Sequence, residues 1–284
     1  MPEPKNKLVV RDLSYFDKEL EEIKSVVNTA AWDLIKKKQD YYNLAHEAEW
    51  HIEGLLYHFR NMLGFYQTIS GQIAERALAI DKVGVLVFHS PEMQSLLFEF
   101  YSIVILSRLT LDHVTQYTVA PLFKPGILPG STNTFMKGTS DLPLHLSLST
   151  EPLVRYLFDV RDCMVHSRTF ATSKNTIAIS DNIDEAQLPD MKELWKYPIA
   201  RTYFRVVGKN KISANILLPD AIYQYDDNGS RVRLIKDFAY SDRNNILRQS
   251  IDFIQICAAS VVNSFSLLEE KELKTYTWAK KAPN

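Results

Sequence analysis

The run Arg161-Asp162-Cys163-Met164-Val165-His166 offers a guanidinium, a carboxylate and an imidazole within six positions. A permanently charged fork and a ring that titrates near neutrality are the groups that hold an anion and move a proton. Asp162 stands four before His166, so on a helix the two share a face as an i,i+4 pair. Arg161 and His166 are five apart and diverge by about 140° on a regular helix, so one chain cannot easily grip one small ligand with both.

A single helix of about four turns must position them. Thr150 is the expected N-cap, with Glu151 and Pro152 in the first turn, and neither Gly nor Pro recurs before Arg168. On a helical wheel Leu153, Tyr156, Leu157, Val160, Cys163 and Met164 form one apolar side, expected in the core. Val154, Phe158 and Val165 form a second stripe, with Arg161 on one flank and Asp162 and His166 on the other. A helix apolar on two sides buries the second against more of its own chain or against a partner. A two-fold axis over that stripe would set each chain's Arg161 beside the other's His166, giving a composite site at a homodimer interface.

An Arg, a small polar residue, three further residues and a His, late in a helical chain, resembles the signature of the HEPN superfamily. The resemblance covers Arg161, Asp162 and His166 and, more loosely, the helix layout of the whole chain. It implies a helical bundle that dimerises through the motif. It further implies either a metal-independent endoribonuclease, as in toxin-antitoxin and phage-defence systems, or a relative that lost activity and serves as a binding module.

Metal-free RNA cleavage needs a base for the ribose 2′-hydroxyl, an acid for the 5′-oxygen and a cation at the phosphate oxygens. The resemblance puts His166 in the first two roles and Arg161 in the third. Asp162 would fix the imidazole tautomer and raise its pKa. The alternative is structural, with Arg161 paired to a surface carboxylate and Asp162 with His166 an ordinary helix pair.

His46, His51 and His58 raise a metal alternative. HEAEWH is one residue too long for a zinc-peptidase HExxH, but His51 and His58, seven apart, share a face, and Asp112 with His113 could complete a bundle site for a hydrolase. Core-edge histidines are the competing reading, and no metal or other cofactor is expected.

With 284 residues, one domain over 1–284 with an insertion is more economical than two full domains. Apolar residues at 46% and charged residues at 24% exclude a disordered or fibrous chain. The net charge of −1 provides no bulk field for nucleic acid, so RNA would need a local patch. Cys163 and Cys257 read as buried free thiols of a reducing compartment. Residues 1–12 lack the apolar core of a secretory signal, and the windows Tyr101 to Leu106 and Ile251 to Phe265 read as too short or too interrupted to span a bilayer. A soluble, cytoplasmic protein without membrane contact is expected.

From Phe16 to Ile69 apolar residues alternate at spacings of four and three, predicting one bent helix or two joined near 36–40, with a coiled-coil arm as the alternative. Asp81 to His89 reads as an apolar link, and Ser90-Pro91 starts a helix to about Thr118. Val119 to Ser149 reads as a long loop near the site, and a last helix should run from Ser241-Asp242 to about Lys274, ahead of a frayed tail. Between these the period falls to two at Thr176 to Ser180, Arg201 to Val207, Ile212 to Leu218, Ile222 to Tyr225 and Arg231 to Phe238, with a hairpin turn at 227–230. Arg201, Tyr203 and Arg205, with Arg231 and Arg233, are expected on exposed strand faces, where with Arg168 they could follow an RNA backbone. The competing reading is an ordinary solvated face.

The expected protein is mainly α, a HEPN-like antiparallel helical bundle with a small antiparallel β insertion at about 170–240 before the last helix. Its expected partners are RNA, a second copy through the Val154, Phe158 and Val165 face, and an antitoxin or regulatory protein.

Overall fold

The computed structural model describes residues 12–79, 84–123, 128–167, 175–184, 200–207, 211–227, 229–235, 238–270 and 275–280. In chain order these form α1 (Ser14–Lys37), α2 (Tyr42–Ala79), β1 (Val85–His89), α3 (Pro91–His113), α4 (Thr132–Lys137), β2 (Thr139–Ser140), α5 (Pro143–Thr150) and α6 (Pro152–Ser167). There follow β3 (Asn175–Ser180), β4 (Arg201–Val207), β5 (Lys211–Pro219), β6 (Tyr223–Tyr225), β7 (Arg231–Leu234), β8 (Tyr240–Asn245), α7 (Ile246–Glu269) and β9 (Trp278–Ala279). The protein is mostly helical with a small mixed sheet.

The chain divides into two compact units, and α2, α3, α6 and α7 each give residues to both. The unit built from residues 14–58, 102–158 and 251–284 is helical. Its seam along α1, Phe16, Leu20, Ile23, Val27 and Leu34, is buried as the spacing predicts, and Ala31 is buried with it. Lys38 ends α1, and a 3-10 turn at Gln39–Tyr41 leads into α2, so the long periodic run is two helices. The α7 seam of Ile251, Ile254, Ala258, Val261, Phe265 and Leu268 is buried throughout.

Two expectations fail in this unit. Residues 119–149 are not one long loop: they hold α4, capped by Ser131 Oγ on the Thr134 amide at 3.2 Å, and most of α5. The tail is not frayed over 275–280, where β9 pairs with β2 and the Trp278 indole donates to the Phe135 carbonyl at 3.2 Å. A short polar stretch without long apolar periodicity hides both, because its order comes from a cap and one indole hydrogen bond.

The other unit, from residues 1–13, 59–101 and 159–250, carries the sheet, in the order β1-β3-β4-β5-β8. β3 and β4 pair in parallel and the other neighbours antiparallel, which corrects the expected all-antiparallel insertion. β1 comes from the stretch read as a link between two helices, and Leu86 and Phe88 bury one of its faces. Residues 241–245, read as the start of the last helix, belong to β8. α7 begins only at Ile246, where Asn245 Oδ1 accepts from the Leu247 amide at 3.0 Å. The hairpin β6–β7 forms where the turn residues predict it, with Gly229 at φ 74° in the left-handed region.

By length and composition, Pro91–Leu122 and Ile246–Glu269 are each long and apolar enough to cross a membrane, contrary to the sequence reading of their windows. Much of the apolar surface of α7 is nonetheless spent on the protein's own core.

Candidate functional site

α6 begins one residue after α5 ends. Thr150, expected as its N-cap, closes α5 instead, and Glu151 Oε1 accepts from the Leu153 amide at 3.2 Å. The inward face forms as the wheel predicts, with Leu157, Val160, Cys163 and Met164 buried and Leu153 and Tyr156 half-buried.

The second stripe does not stand open. Val154 is 0% exposed and Phe158 is 7% exposed, with the Arg108 guanidinium 4.0 Å above the Phe158 ring, while Val165 is 38% exposed. A homodimer face through all three is therefore corrected: two of them are covered by their own chain.

At the C-terminal end of α6 the structure assembles a charged cluster. Asp159 and Asp162, three apart, face one side of the helix, and Arg231 on β7 reaches both. Arg231 Nη2 lies 2.5 Å and Nε 2.9 Å from Asp159 Oδ1, and Nη1 lies 2.5 Å from Asp162 Oδ2. The Tyr225 hydroxyl donates to the same Asp159 oxygen at 2.5 Å, and Arg231 stacks over the Tyr223 ring at 4.5 Å. Arg161 Nη1 donates to Asp162 Oδ1 at 3.1 Å. Two guanidinium groups thus stand against two carboxylates.

Burial and charge act differently on the two acids. Asp159 is 4% exposed, and burial pushes its carboxyl above the usual range despite the Tyr225 hydroxyl and Arg231. Burial opposes ionisation of Asp162 too, but hydrogen bonds from Arg231 and Arg161, with their charges, outweigh it and hold that carboxyl below the usual range. Tyr225 is pushed up to about 12, first by burial and then by its bond to Asp159. Arg231 is raised as well: burial opposes its charge, but its bonds to Tyr225 and Asp162 prevail.

The expected site residues are only partly brought together. Arg161 and Asp162 touch, and Asp162 also meets Arg231, while the expected contact of Asp162 with His166 falls on a side chain outside the described residues. The backbone of His166 continues α6, while its side chain lies outside the described residues, as does all of Arg168. Asp159, Tyr223 and Tyr225 were missed. An aspartate between Phe158 and Val160, on a helix this apolar, was the available signal, since a buried carboxylate requires a cation partner.

The arginine strand faces are in part the expected exposed ones: Arg205, Arg231 and Arg233 are exposed, whereas Arg201 is not. Arg201 is 7% exposed and stacks over Tyr240 at 4.1 Å, and its Nη1 donates to the Tyr203 hydroxyl at 3.4 Å. Arg205 is paired with Asp181, and Arg231 is committed to α6. Arg233 is exposed and donates to Gln224 Oε1 at 2.9 Å. Carboxylates outside the strands engage Arg205 and Arg231, and rings on other strands stack with Arg201 and Arg231, none of it visible in the period-two pattern.

The histidine alternative fares similarly. The His51 and His113 rings meet edge to face at 5.2 Å, and His113 Nε2 lies 3.0 Å from Glu47 Oε2, yet no group of three metal-ligating side chains converges among the described residues. Asp112 instead accepts from Arg108 and from the amide and hydroxyl of Thr132. The other ring nitrogen of His113 lies 3.4 Å from the Thr118 hydroxyl, an acid-imidazole-hydroxyl chain. Thr118 is 0% exposed, so that hydroxyl meets no substrate. Burial, then His113, lowers the His51 pKa.

No family model, no curated protein and no solved structure matches this chain.

Proposed function

We propose that the chain is a HEPN-type helical protein acting as a metal-independent endoribonuclease, with Arg161 and His166 as its catalytic residues. The observation that carries this reading is the state of Arg161. Its side chain is 35% exposed, Nη1 bonds Asp162, and its buried Nε has no hydrogen-bond partner among the described residues. An arginine held on one edge while about a third of its side chain meets water suits a phosphate oxygen that gains charge during reaction.

In this reading His166 removes the 2′-hydroxyl proton as that oxygen attacks phosphorus. A histidine then protonates the departing 5′-oxygen, giving a 2′,3′-cyclic phosphate and a 5′-hydroxyl. The cluster around Arg231 fixes the angle of Asp162, and so of Arg161, and with Arg161 counted its two guanidinium groups stand against two carboxylates. Because Arg161 and His166 diverge along one helix, the second group comes from a second copy. The contact would run over the end of α6 that carries half-buried Arg161 and exposed Val165, since Val154 and Phe158 are covered. A cytoplasmic setting fits the two buried free thiols.

The test is digestion of single-stranded RNA by the purified protein in EDTA, with analysis of product ends. Cyclic phosphate ends support the reading, and intact RNA overturns it.

A second reading has its own observation. The bonds among Asp159, Asp162, Arg231 and Tyr225 are mutual, as in a structural clamp, which favours a catalytically silent interaction module. It is the outcome if RNA stays intact.

A further inference from the structure

On the first half of α2, Tyr42, His46, Trp50 and Tyr57 recur at spacings of four, four and seven, within an arc of about 80°. The opposite side is buried through Ala45, Ala48, Ile52, Leu55 and Leu56, so this row is the helix's outer face. Tyr42 is 53% exposed, Trp50 70% and Tyr57 61%, and the His46 ring stacks on Tyr42 at 6.1 Å. Single exposed aromatics are ordinary, but three in register on one helix face match the composition of recognition surfaces.

Along α2 itself the charge beside the row is of one sign. Between Tyr42 and Tyr57 the chain has Glu47, Glu49 and Glu53 and no Lys or Arg. The side chains of Glu47 and Glu53 are 66% and 52% exposed. Lys24 of α1 engages Glu53 at 3.2 Å, His113 Nε2 lies 3.0 Å from Glu47, and His46 lies 3.8 Å from Glu49, so each carboxylate keeps an exposed edge beside one such neighbour. A nucleic acid stacking on these rings would find carboxylates where its phosphates need cations. A guanidinium or ammonium finds both ring faces and carboxylates.

We propose that the Tyr42, Trp50 and Tyr57 face of α2 docks a cationic protein segment, an arginine-rich helix whose guanidinium groups lie over the rings and reach Glu47 and Glu53. The ribonuclease reading is independent of this, because none of these residues belongs to the cluster around Arg231.

The probe is a fluorescently labelled, arginine-rich amphipathic peptide, titrated against the full chain by anisotropy. A peptide with every Arg replaced by Glu and a labelled single-stranded RNA serve as controls. Saturable binding of the arginine peptide is expected. Trp50→Ala with Tyr57→Ala should weaken it by roughly tenfold or more, as loss of central aromatic anchors does. Glu47→Gln with Glu53→Gln should weaken it and flatten its salt dependence. All four side chains are exposed, so circular dichroism should show the variants folded. Equal binding of the two peptides, binding unaltered in the aromatic variant, or no binding overturns the proposal. So does RNA that competes at this face, or a self-associated chain that the aromatic variant dissolves.

Discussion

Arg231 Nη1 lies 2.5 Å from Asp162 Oδ2, so a hairpin strand far along the chain holds the second residue of the Arg161-Asp162 pair. Asp162 then passes that restraint to Arg161 through a bond of 3.1 Å. The orientation of the proposed phosphate-binding arginine is thereby coupled to the β6–β7 hairpin.

Removing the linking cation should be costly. Arg231→Met leaves the buried Asp159 carboxyl without its guanidinium. The expected loss is about 2 kcal/mol, below the cost of breaking a fully buried pair because a third of the Arg231 side chain remains in water. Adding Asp159→Asn should restore part of it. Urea unfolding measures both, and a loss within about 0.5 kcal/mol would show an ordinary surface pair.

Asp159 and Asp162 should bend the stability profile in opposite senses. Asp162, with its folded pKa lowered, contributes stability above the unfolded value near about 4, and that contribution fades as pH falls through the folded value. Asp159, with its folded pKa raised, costs stability above that raised value, and the cost is relieved as pH falls toward about 4. Asp162→Asn should therefore flatten the acid limb, and Asp159→Asn should remove the gain that precedes it. Urea midpoints across the acid range should show curves of different shape, and parallel curves would contradict the assignment.

A Cβ on Gly138 would collide with Trp278 Nε1 and stand 2.7 Å from Cε2 of that ring and 2.8 Å from the Ala279 carbonyl oxygen. The carbonyl is backbone and cannot swing aside. Gly138→Ala should cost about 1–3 kcal/mol, as overpacking does, by displacing β9. Thermal melting and limited proteolysis at the C-terminus read this out, and an unchanged melt with an uncut tail would count against the β2–β9 pairing.

Long-range periodicity made the helical part of this fold legible. The seams of α1, α2 and α7 could be read because each repeats an apolar residue over many turns, and the turn at 227–230 because glycine there takes positive φ. What stayed hidden was set by contacts between distant segments. β1 pairs with residues some ninety positions later, and β9 is held by one indole on a helix it follows by more than a hundred. At the site, Arg161 and Asp162 were found because their types and spacing are local. Asp159 and Tyr225 were not, because their relevance rests on Arg231 arriving from another element.

If the active centre combines residues of two copies, inactive chains should complement one another. Arg161→Ala and His166→Ala, each inactive alone, should recover a fraction of wild-type cleavage when mixed, since some mixed dimers hold one intact centre. Gel-based rates on the mixture provide the check. Activity no greater than that of either variant alone would place both groups in one chain.

The most direct measurement is the rate of RNA cleavage in EDTA by wild-type protein and by His166→Ala, with melting temperatures matched to exclude unfolding. Loss of a general acid-base group should lower the rate by about two to four orders of magnitude. Cleavage by the variant at the wild-type rate would contradict the assignment of this protein as a ribonuclease that works through His166.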